Sequence, residues 1–289
     1  DAMKDVLEHY STLFGDYPFK NEKYGHVTYT FGGGMENQTA SYIGTGAFNR
    51  SLLAHELAHQ WWGDKVTCLK WNNIWVNESF ARYAEILYSE QFETSAAAIT
   101  KRGTYKNGSA KSGTNTVYRY DVEVATEADH TGKIFVSSMV YDKGSIIISM
   151  LRKLVGDVNF FQALRNYLND PLISYGYSTT EDVRRHFEAV CGLDLTAFFS
   201  DFIYKAGYPT YNVEWAYSSG ANKVAIKLNH SKTSSGTYQV AGRYHTVLPI
   251  RLRKTSAPVR DTVVVVYDDG VASLSTLLYN VSFPVDAIE

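Results

Sequence analysis

The chain has 289 residues, of which 45% are hydrophobic, and its formal net charge is −2 at pH 7. This length and composition suffice for one large hydrophobic core or two ordinary ones, which argues against intrinsic disorder. The near-neutral charge and the absence of basic runs argue against nucleic acid as a partner. No apolar stretch approaches the ~20 residues that cross a bilayer, so we expect no membrane span.

Helical periodicity marks most of the first two hundred residues. Apolar side chains at helical spacing predict helices over residues 1–14, 50–62, 77–91, 135–154, 178–190 and 195–205. Ser178 and Glu181 are predicted to form a capping box, with Gly192 as the stop of the same helix. Residues 104–133 are rich in Gly, Ser, Thr and Asn, and are predicted to be an extended surface excursion. Because a helix is predicted from the first residue, we expect the sequence to be an excised or processed part of a longer chain.

Strand patterns lie in two places. Alternation on either side of a glycine run predicts strands over residues 25–31 and 35–43, and further alternating runs cover residues 211–217, 223–228, 246–252 and 261–267. We interpret the later runs as a small antiparallel β-sandwich that follows a mostly helical domain. The predicted fold class is α+β, with one domain over residues 1–208 and an all-β domain over residues 209–289. Two distant cysteines indicate no disulfide framework, and the compartment stays open.

A metal-binding pattern lies in the second predicted helix. Residues 55–59 read His-Glu-Leu-Ala-His, which is the HExxH pattern. Two histidines four residues apart lie one helical turn from each other, so His55 and His59 can bind one Zn²⁺ while Glu56 lies beside the metal. Glu78 opens the next helix after a gap that a turn and a loop can bridge, and it supplies a third ligand. Three protein ligands are typical of a catalytic rather than a structural zinc site, so we predict one zinc ion per chain.

The metal ligands need partners of their own. Glu85 lies two turns after Glu78 on the same helix face and can accept a hydrogen bond from one of the histidines, although an ordinary solvated carboxylate is an equal alternative. Asp64 is a weaker candidate for the same role.

Three segments together resemble a known family. They are Gly-Gly-Met-Glu-Asn at residues 33–37, His-Glu-Leu-Ala-His-Gln-Trp-Trp-Gly-Asp at residues 55–64, and Trp-Val-Asn-Glu-Ser-Phe-Ala at residues 75–81. Their order and spacing resemble the aminopeptidase N / leukotriene A4 hydrolase family of gluzincin metallopeptidases. The resemblance implies a thermolysin-like, mainly helical catalytic domain with a small β-sheet, followed by a β-sandwich.

The resemblance also implies roles for individual residues. Glu36 is implied to bind the free α-amino group of a peptide substrate, and its neighbours Gly33, Gly34, Met35 and Asn37 belong to the same substrate-binding segment. Glu56 is implied to be the general base that takes a proton from the attacking water. Tyr141, which stands in a Tyr-Asp-Lys-Gly context, is implied to stabilise the oxyanion. The implied function is that of a zinc-dependent aminopeptidase, which removes N-terminal residues from peptides with a free N-terminus.

The sequence departs from the family in three respects. Ser79 stands where the family usually has glycine, and we expect little consequence because serine is small. The family's N-terminal β-domain and its large helical C-terminal domain have no counterpart in the sequence, so we expect the N-terminal domain of a larger chain to complete the cleft. Two alternatives stay open: a non-catalytic or weakly active peptide-binding fragment, and a lipid-epoxide hydrolase. A thermolysin-like endopeptidase is disfavoured because the charge of Glu36 would block a continuing chain.

Overall fold

Helices make up most of the first two hundred residues, as the sequence predicts. The structure, a computed structural model, describes residues 2–110, 115–122, 130–232, 244–268 and 276–289. In chain order the helices are α1 (Ala2–Phe14), α2 (Arg50–Ala58), α3 (Trp75–Phe92), α4 (Ser95–Ala110), α5 (His130–Ile134), α6 (Gly144–Val155), α7 (Asp157–Asn169), α8 (Thr180–Cys191) and α9 (Thr196–Phe199). Two π-helical turns cover Ser137–Lys143, directly before α6, and Ser200–Tyr204, directly after α9.

Short strands flank the helices. A three-stranded sheet has the order β1 (Gly25–Tyr29), β3 (Ala40–Gly44), β2 (Gly34–Met35), and β4 (Val66–Cys68) pairs in parallel with β5 (Gly176–Ser178). In the three-stranded sheet β3 runs parallel to β1 and antiparallel to β2. Strand β2 packs against α2, so the glycine-rich segment lies beside the helix that carries the HExxH pattern.

Two antiparallel sheets form the last part of the chain. Their strands are β6 (Pro209–Ser218), β7 (Lys223–Lys232), β8 (Thr246–Lys254), β9 (Arg260–Asp268), β10 (Leu277–Asn280) and β11 (Ala287–Ile288). The sheet orders are β10–β7–β6 and β11–β8–β9, and side chains from both sheets share one apolar cluster. The four predicted alternating runs all fall in these strands, and the fold is α+β as predicted. The division into domains 1–208 and 209–289 stays a prediction.

Local signals explain where several helices begin and end. Asn49 caps α2, and its side chain accepts a hydrogen bond from the Leu52 amide. The capping box of α8 consists of Thr179 and Asp182, one residue later than the predicted pair. Both pairs have the required spacing of three, so the sequence alone did not choose between them. Gly192 ends α8 in the left-handed conformation, as predicted.

The prediction of an extended excursion over residues 104–133 is wrong at both ends, and its last residues, 130–133, belong to α5. Residues 104–110 complete α4, and the side chain of Tyr105 is buried against α3. Tertiary contact therefore outweighs the low helix propensity of a segment rich in Gly, Ser and Thr. Residues 111–114 and 123–129 of the predicted excursion lie outside the described residues. Helix α7 was not predicted, although Gly156 marks the break before it.

One run of helix is longer and more apolar than the sequence analysis allowed. The stretch Thr131–Val155 is long and apolar enough to cross a membrane by length and composition, because α5, the π-helical turn and α6 follow each other closely. Half of its most apolar window is buried inside the protein. Ile147, Ile148 and Leu151 belong to the main apolar cluster of the helical part, and core helices pass the same test. The run is therefore weak support for a membrane span.

Candidate functional site

Three side chains from two helices meet at one buried point. His55 lies in α2, His59 is the residue that caps the end of that helix, and Glu78 lies in the first turn of α3. The Nε2 atoms of the two histidines are 3.1 Å apart, and Glu78 Oε2 lies 3.6 Å from His55 Nε2 and 3.3 Å from His59 Nε2. All three residues are at most 6% exposed. The structure thus brings the predicted ligand atoms together.

The other nitrogen of each imidazole has an acceptor. His59 Nδ1 lies 2.9 Å from the carbonyl oxygen of Trp62, and His55 Nδ1 lies 3.0 Å from Glu85 Oε1. A carbonyl can only accept, so His59 Nδ1 carries the hydrogen and, in the neutral ring, Nε2 carries the lone pair. The same assignment holds for His55 beside its carboxylate. The predicted role of Glu85 is confirmed, whereas Asp64 accepts a hydrogen bond from Gln60.

The electrostatics of this cluster favour a cation. Burial lowers the pKa of His55, but hydrogen bonds with Glu78 and Glu85 outweigh burial and raise that pKa to about 9. Burial raises the pKa of Glu78, but the neighbouring His59 and His55 hold it well below its usual range. The buried Glu78 carboxylate faces the Nε2 atoms of His55 and His59. A positive charge between these three groups stabilises them, and either a proton or a metal ion can supply it.

The spacing of the three donor atoms matches zinc. Ligand atoms that surround Zn²⁺ tetrahedrally at about 2.0–2.1 Å lie about 3.3 Å from one another. The three separations in the cluster range from 3.1 to 3.6 Å. Two imidazole nitrogens and one carboxylate oxygen are also a usual donor set for catalytic zinc. These residues therefore fit a zinc ion.

Glu56 lies beside this cluster with part of its carboxylate unpaired. The residue is 3% exposed, and within the described part of the chain its Oε2 atom has no hydrogen-bond partner. Burial raises the pKa of Glu56, although His55 and His59 oppose that effect. In a protein core, a buried carboxylate oxygen without a hydrogen-bond partner costs free energy of folding. In an active site such an oxygen is expected of a proton acceptor, because substrate or water becomes its partner.

The glycine-rich segment, residues 33–37, contributes to the wall of the cavity beside the cluster. Gly33, Gly34 and Glu36 line the same cavity of about 300 Å³ as the cluster of two histidines and Glu78. A Cβ atom on Gly34 would lie 2.2 Å from Glu56 Oε1, so only glycine fits there without displacing the carboxylate. The side chains of Met35 and Asn37 are exposed and do not line the cavity.

Carboxylate oxygens of Glu36 and Glu56 and a nitrogen of His59 lie within 4.8 Å of one another. The buried side chain of Gln60 fixes the glycine-rich segment to α2. Its Oε1 atom accepts a hydrogen bond from the Thr39 amide at 2.8 Å, and its Nε2 atom donates to the Glu36 carbonyl at 3.3 Å. Sequence reasoning missed Gln60, for which adjacency to the HExxH pattern was the available signal.

Tyr141 reaches the cavity from the π-helical turn Ser137–Lys143. Its ring lies 6.1 Å from the His55 ring at an angle of 19°, and the residue lines the same cavity as Glu78. Burial and the nearby Glu78 raise the pKa of Tyr141 well above its usual range, so the phenol stays protonated at neutral pH. The structure therefore brings a hydrogen-bond donor to the cluster.

A polar network behind His55 also escaped the sequence analysis. Glu85 accepts hydrogen bonds from the hydroxyls of Ser51 and Tyr105 as well as from His55. Arg82 donates from Nη1 to Glu85 and from Nε and Nη2 to Asp142. Both carboxylate oxygens of Glu85 thus have hydrogen-bond partners. These hydrogen bonds lower the pKa of Glu85 to about 2, although burial opposes that effect.

Comparison with known proteins finds aminopeptidases and a metallopeptidase that are similar to this chain. The chain is 32% identical over 198 residues to aminopeptidase N of Lactococcus lactis subsp. cremoris, an alignment that covers 67% of this chain and 23% of that protein. The fold is similar to an M1 zinc metallopeptidase from Deinococcus radiodurans, with a TM-score of 0.56, 26% identity and coverage of 66% of this chain and 41% of that one. It is also similar to Legionella pneumophila aminopeptidase A, with a TM-score of 0.72 and 17% identity over 96% of this chain and 31% of that one.

The chain spans about a quarter of the length of the aminopeptidase N that it matches. Residues 1–202 match the peptidase family M1 domain, which is well over half of the sequence. The chain belongs to peptidase family M1.

Proposed function

We propose that this chain carries the catalytic unit of a zinc-dependent aminopeptidase, with one zinc ion held by His55, His59 and Glu78. One observation carries the proposal: three buried lone-pair donors at zinc spacing share a cavity with an unpaired carboxylate and a protonated phenol. Membership of a peptidase family supports hydrolysis of peptide bonds, and a similar structure described as a zinc metallopeptidase supports the choice of metal.

The residues around the cluster supply the remaining chemistry. When bound, zinc would polarise the scissile carbonyl and lower the pKa of the attacking water. Glu56 takes the proton of that water and passes it to the leaving amine. The Tyr141 hydroxyl donates a hydrogen bond to the oxygen on which negative charge develops. The raised pKa of this tyrosine supports the role, because only the protonated phenol is a donor.

The position of Glu36 supports removal of single N-terminal residues. Its carboxylate lies within 4.8 Å of Glu56 and His59, so an ammonium group paired with Glu36 stands close to the reacting centre. Within one amino acid the nitrogen and the carbonyl carbon are about 2.5 Å apart, which lets the first peptide bond reach the cluster. We propose peptides with a free N-terminus as substrates and the N-terminal domain of a longer chain as a partner that completes the cleft.

Paired substrates test the proposal directly. The zinc-loaded chain is assayed with leucine or alanine p-nitroanilide and with the N-acetyl form of the same compound. We expect cleavage of the free-amine anilide and none of the acetylated one, because acetylation removes the charge that Glu36 binds. Cleavage of both would show an endopeptidase. One zinc bound per chain without cleavage of either would favour the peptide-binding fragment.

A further inference from the structure

Helix α3 binds the residues on both sides of Tyr141. The hydroxyl of Ser79 donates a hydrogen bond to the carbonyl of Val140, at 2.5 Å. One turn further along the same helix, Arg82 donates from Nε and Nη2 to the carboxylate of Asp142, at 3.2 and 3.1 Å. The residues directly before and after Tyr141 are therefore both bound to the helix that presents Glu78.

The contact at Ser79 is close and fully buried. Ser79 has no exposed surface, and a Cβ atom placed on Gly144 would lie 1.8 Å from its hydroxyl oxygen. The Gly144 N–H donates hydrogen bonds to the carbonyls of Met139 and Tyr141 and not to the carbonyl of Val140, which lies between them. The π-helical turn thus directs the Val140 carbonyl at α3, where the serine hydroxyl satisfies it. A glycine or alanine at position 79 leaves this buried carbonyl without that donor.

We infer that Ser79 is a positioning residue whose hydroxyl fixes the π-helical turn so that the Tyr141 phenol faces the reacting carbonyl. This inference rests on the proposed function. Geometry supports it, because one helix carries both Glu78 and the serine that donates to the turn of Tyr141, and the side chains of Glu78 and Tyr141 line one cavity. The alternative is that Ser79 only fills space against Gly144.

Steady-state kinetics of Ser79→Ala in the zinc-loaded chain distinguish these roles. We expect kcat for leucine p-nitroanilide to fall about tenfold while KM changes less than about twofold, since the phenol acts mainly in the transition state. Zinc content per chain should stay unchanged. Ser89→Ala is the matched control: Ser89 is fully buried in the same helix, and its hydroxyl has no partner among the described residues. We expect kcat of this control to equal that of the parent.

A double-mutant cycle with Tyr141→Phe separates positioning from packing. If the serine acts through the phenol, Ser79→Ala causes no further loss of kcat once that hydroxyl is gone. A further tenfold loss in the Tyr141→Phe background would overturn the inference, as would an unchanged kcat in the single variant.

Hydrogen–deuterium exchange tests the contact without relying on turnover. Amides of residues 137–145 should exchange faster in Ser79→Ala than in the parent and in Ser89→Ala, with and without zinc. Equal exchange in all three proteins would refute the fixed turn. If no anilide is cleaved but exchange in this segment rises as expected, the proposed function fails while the contact between α3 and the turn stands.

Discussion

At the scale of single residues, Glu56 combines burial with an unpaired oxygen in a way that predicts the effect of its removal. Glutamine has the same shape but cannot accept the proton of the attacking water, so Glu56→Gln should lower kcat by about 10²–10⁴-fold. The ligand atoms of His55, His59 and Glu78 are untouched, and zinc content measured by atomic absorption should stay at one ion per chain. Near-normal turnover by the zinc-loaded variant would show that another group is the base.

The residues of the cluster differ in how far the sequence predicts them. His55, His59 and Glu78 follow from helical spacing and chain order, because a four-residue separation fixes the relative direction of two side chains on one helix. The contacts of Gln60 with Thr39 and Glu36, and of Arg82 with Asp142, do not, since these partners lie on other elements and no spacing rule connects them. Ser79 was expected to have little consequence, and only the packing of α3 on the π-helical turn reveals its hydrogen bond.

At the scale of elements, the approach of β2 to α2 makes a glycine essential. A methyl group at Gly34 would lie 2.2 Å from Glu56 Oε1, so either the strand or the carboxylate must move. A displacement of about 1 Å in an active site can cost 10²-fold in rate, and we expect Gly34→Ala to lower kcat/KM by about that factor. Gly32→Ala is the matched control, because a Cβ there meets nothing within 4 Å. Equal kcat/KM in the two variants would contradict the argument.

Element boundaries show where local patterns fail. The four alternating runs of the sandwich were predicted because a half-buried strand needs strict alternation. Helix α4 was not predicted at all. Gly103, Thr104 and Gly108 are poor helix formers, and burial of Tyr105 beside Glu85 favours the helix over its C-terminal half. The π-helical turn before α6 has no distinct periodicity, so the sequence predicted one continuous helix over residues 135–154.

At the scale of the whole molecule, the helical part and the sandwich are joined through a buried side chain. Tyr244 stands just before β8 but belongs to the main apolar cluster of the helical part, where it has no exposed surface. Its ring centroid lies 5.1 Å from that of Phe202, and its hydroxyl donates to the Ala206 carbonyl at 3.3 Å. The adjacent His245 bonds the buried carboxylate of Asp201 at 2.6 Å. The two predicted domains are thus expected to unfold together.

Loss of this side chain should weaken that coupling. Tyr244→Ala removes a fully buried aromatic ring and is expected to cost about 3–5 kcal/mol in the free energy of unfolding, whereas Tyr244→Phe loses only a hydroxyl and should cost about 1 kcal/mol. Urea unfolding followed by tryptophan fluorescence and by circular dichroism measures both. Because each part has an apolar cluster of its own, the alanine variant should also unfold in two transitions where the parent unfolds in one. If both variants unfolded in a single transition and lost the same free energy of unfolding, the ring would not couple the two parts. Other contacts would then join the units on either side of the predicted boundary after residue 208.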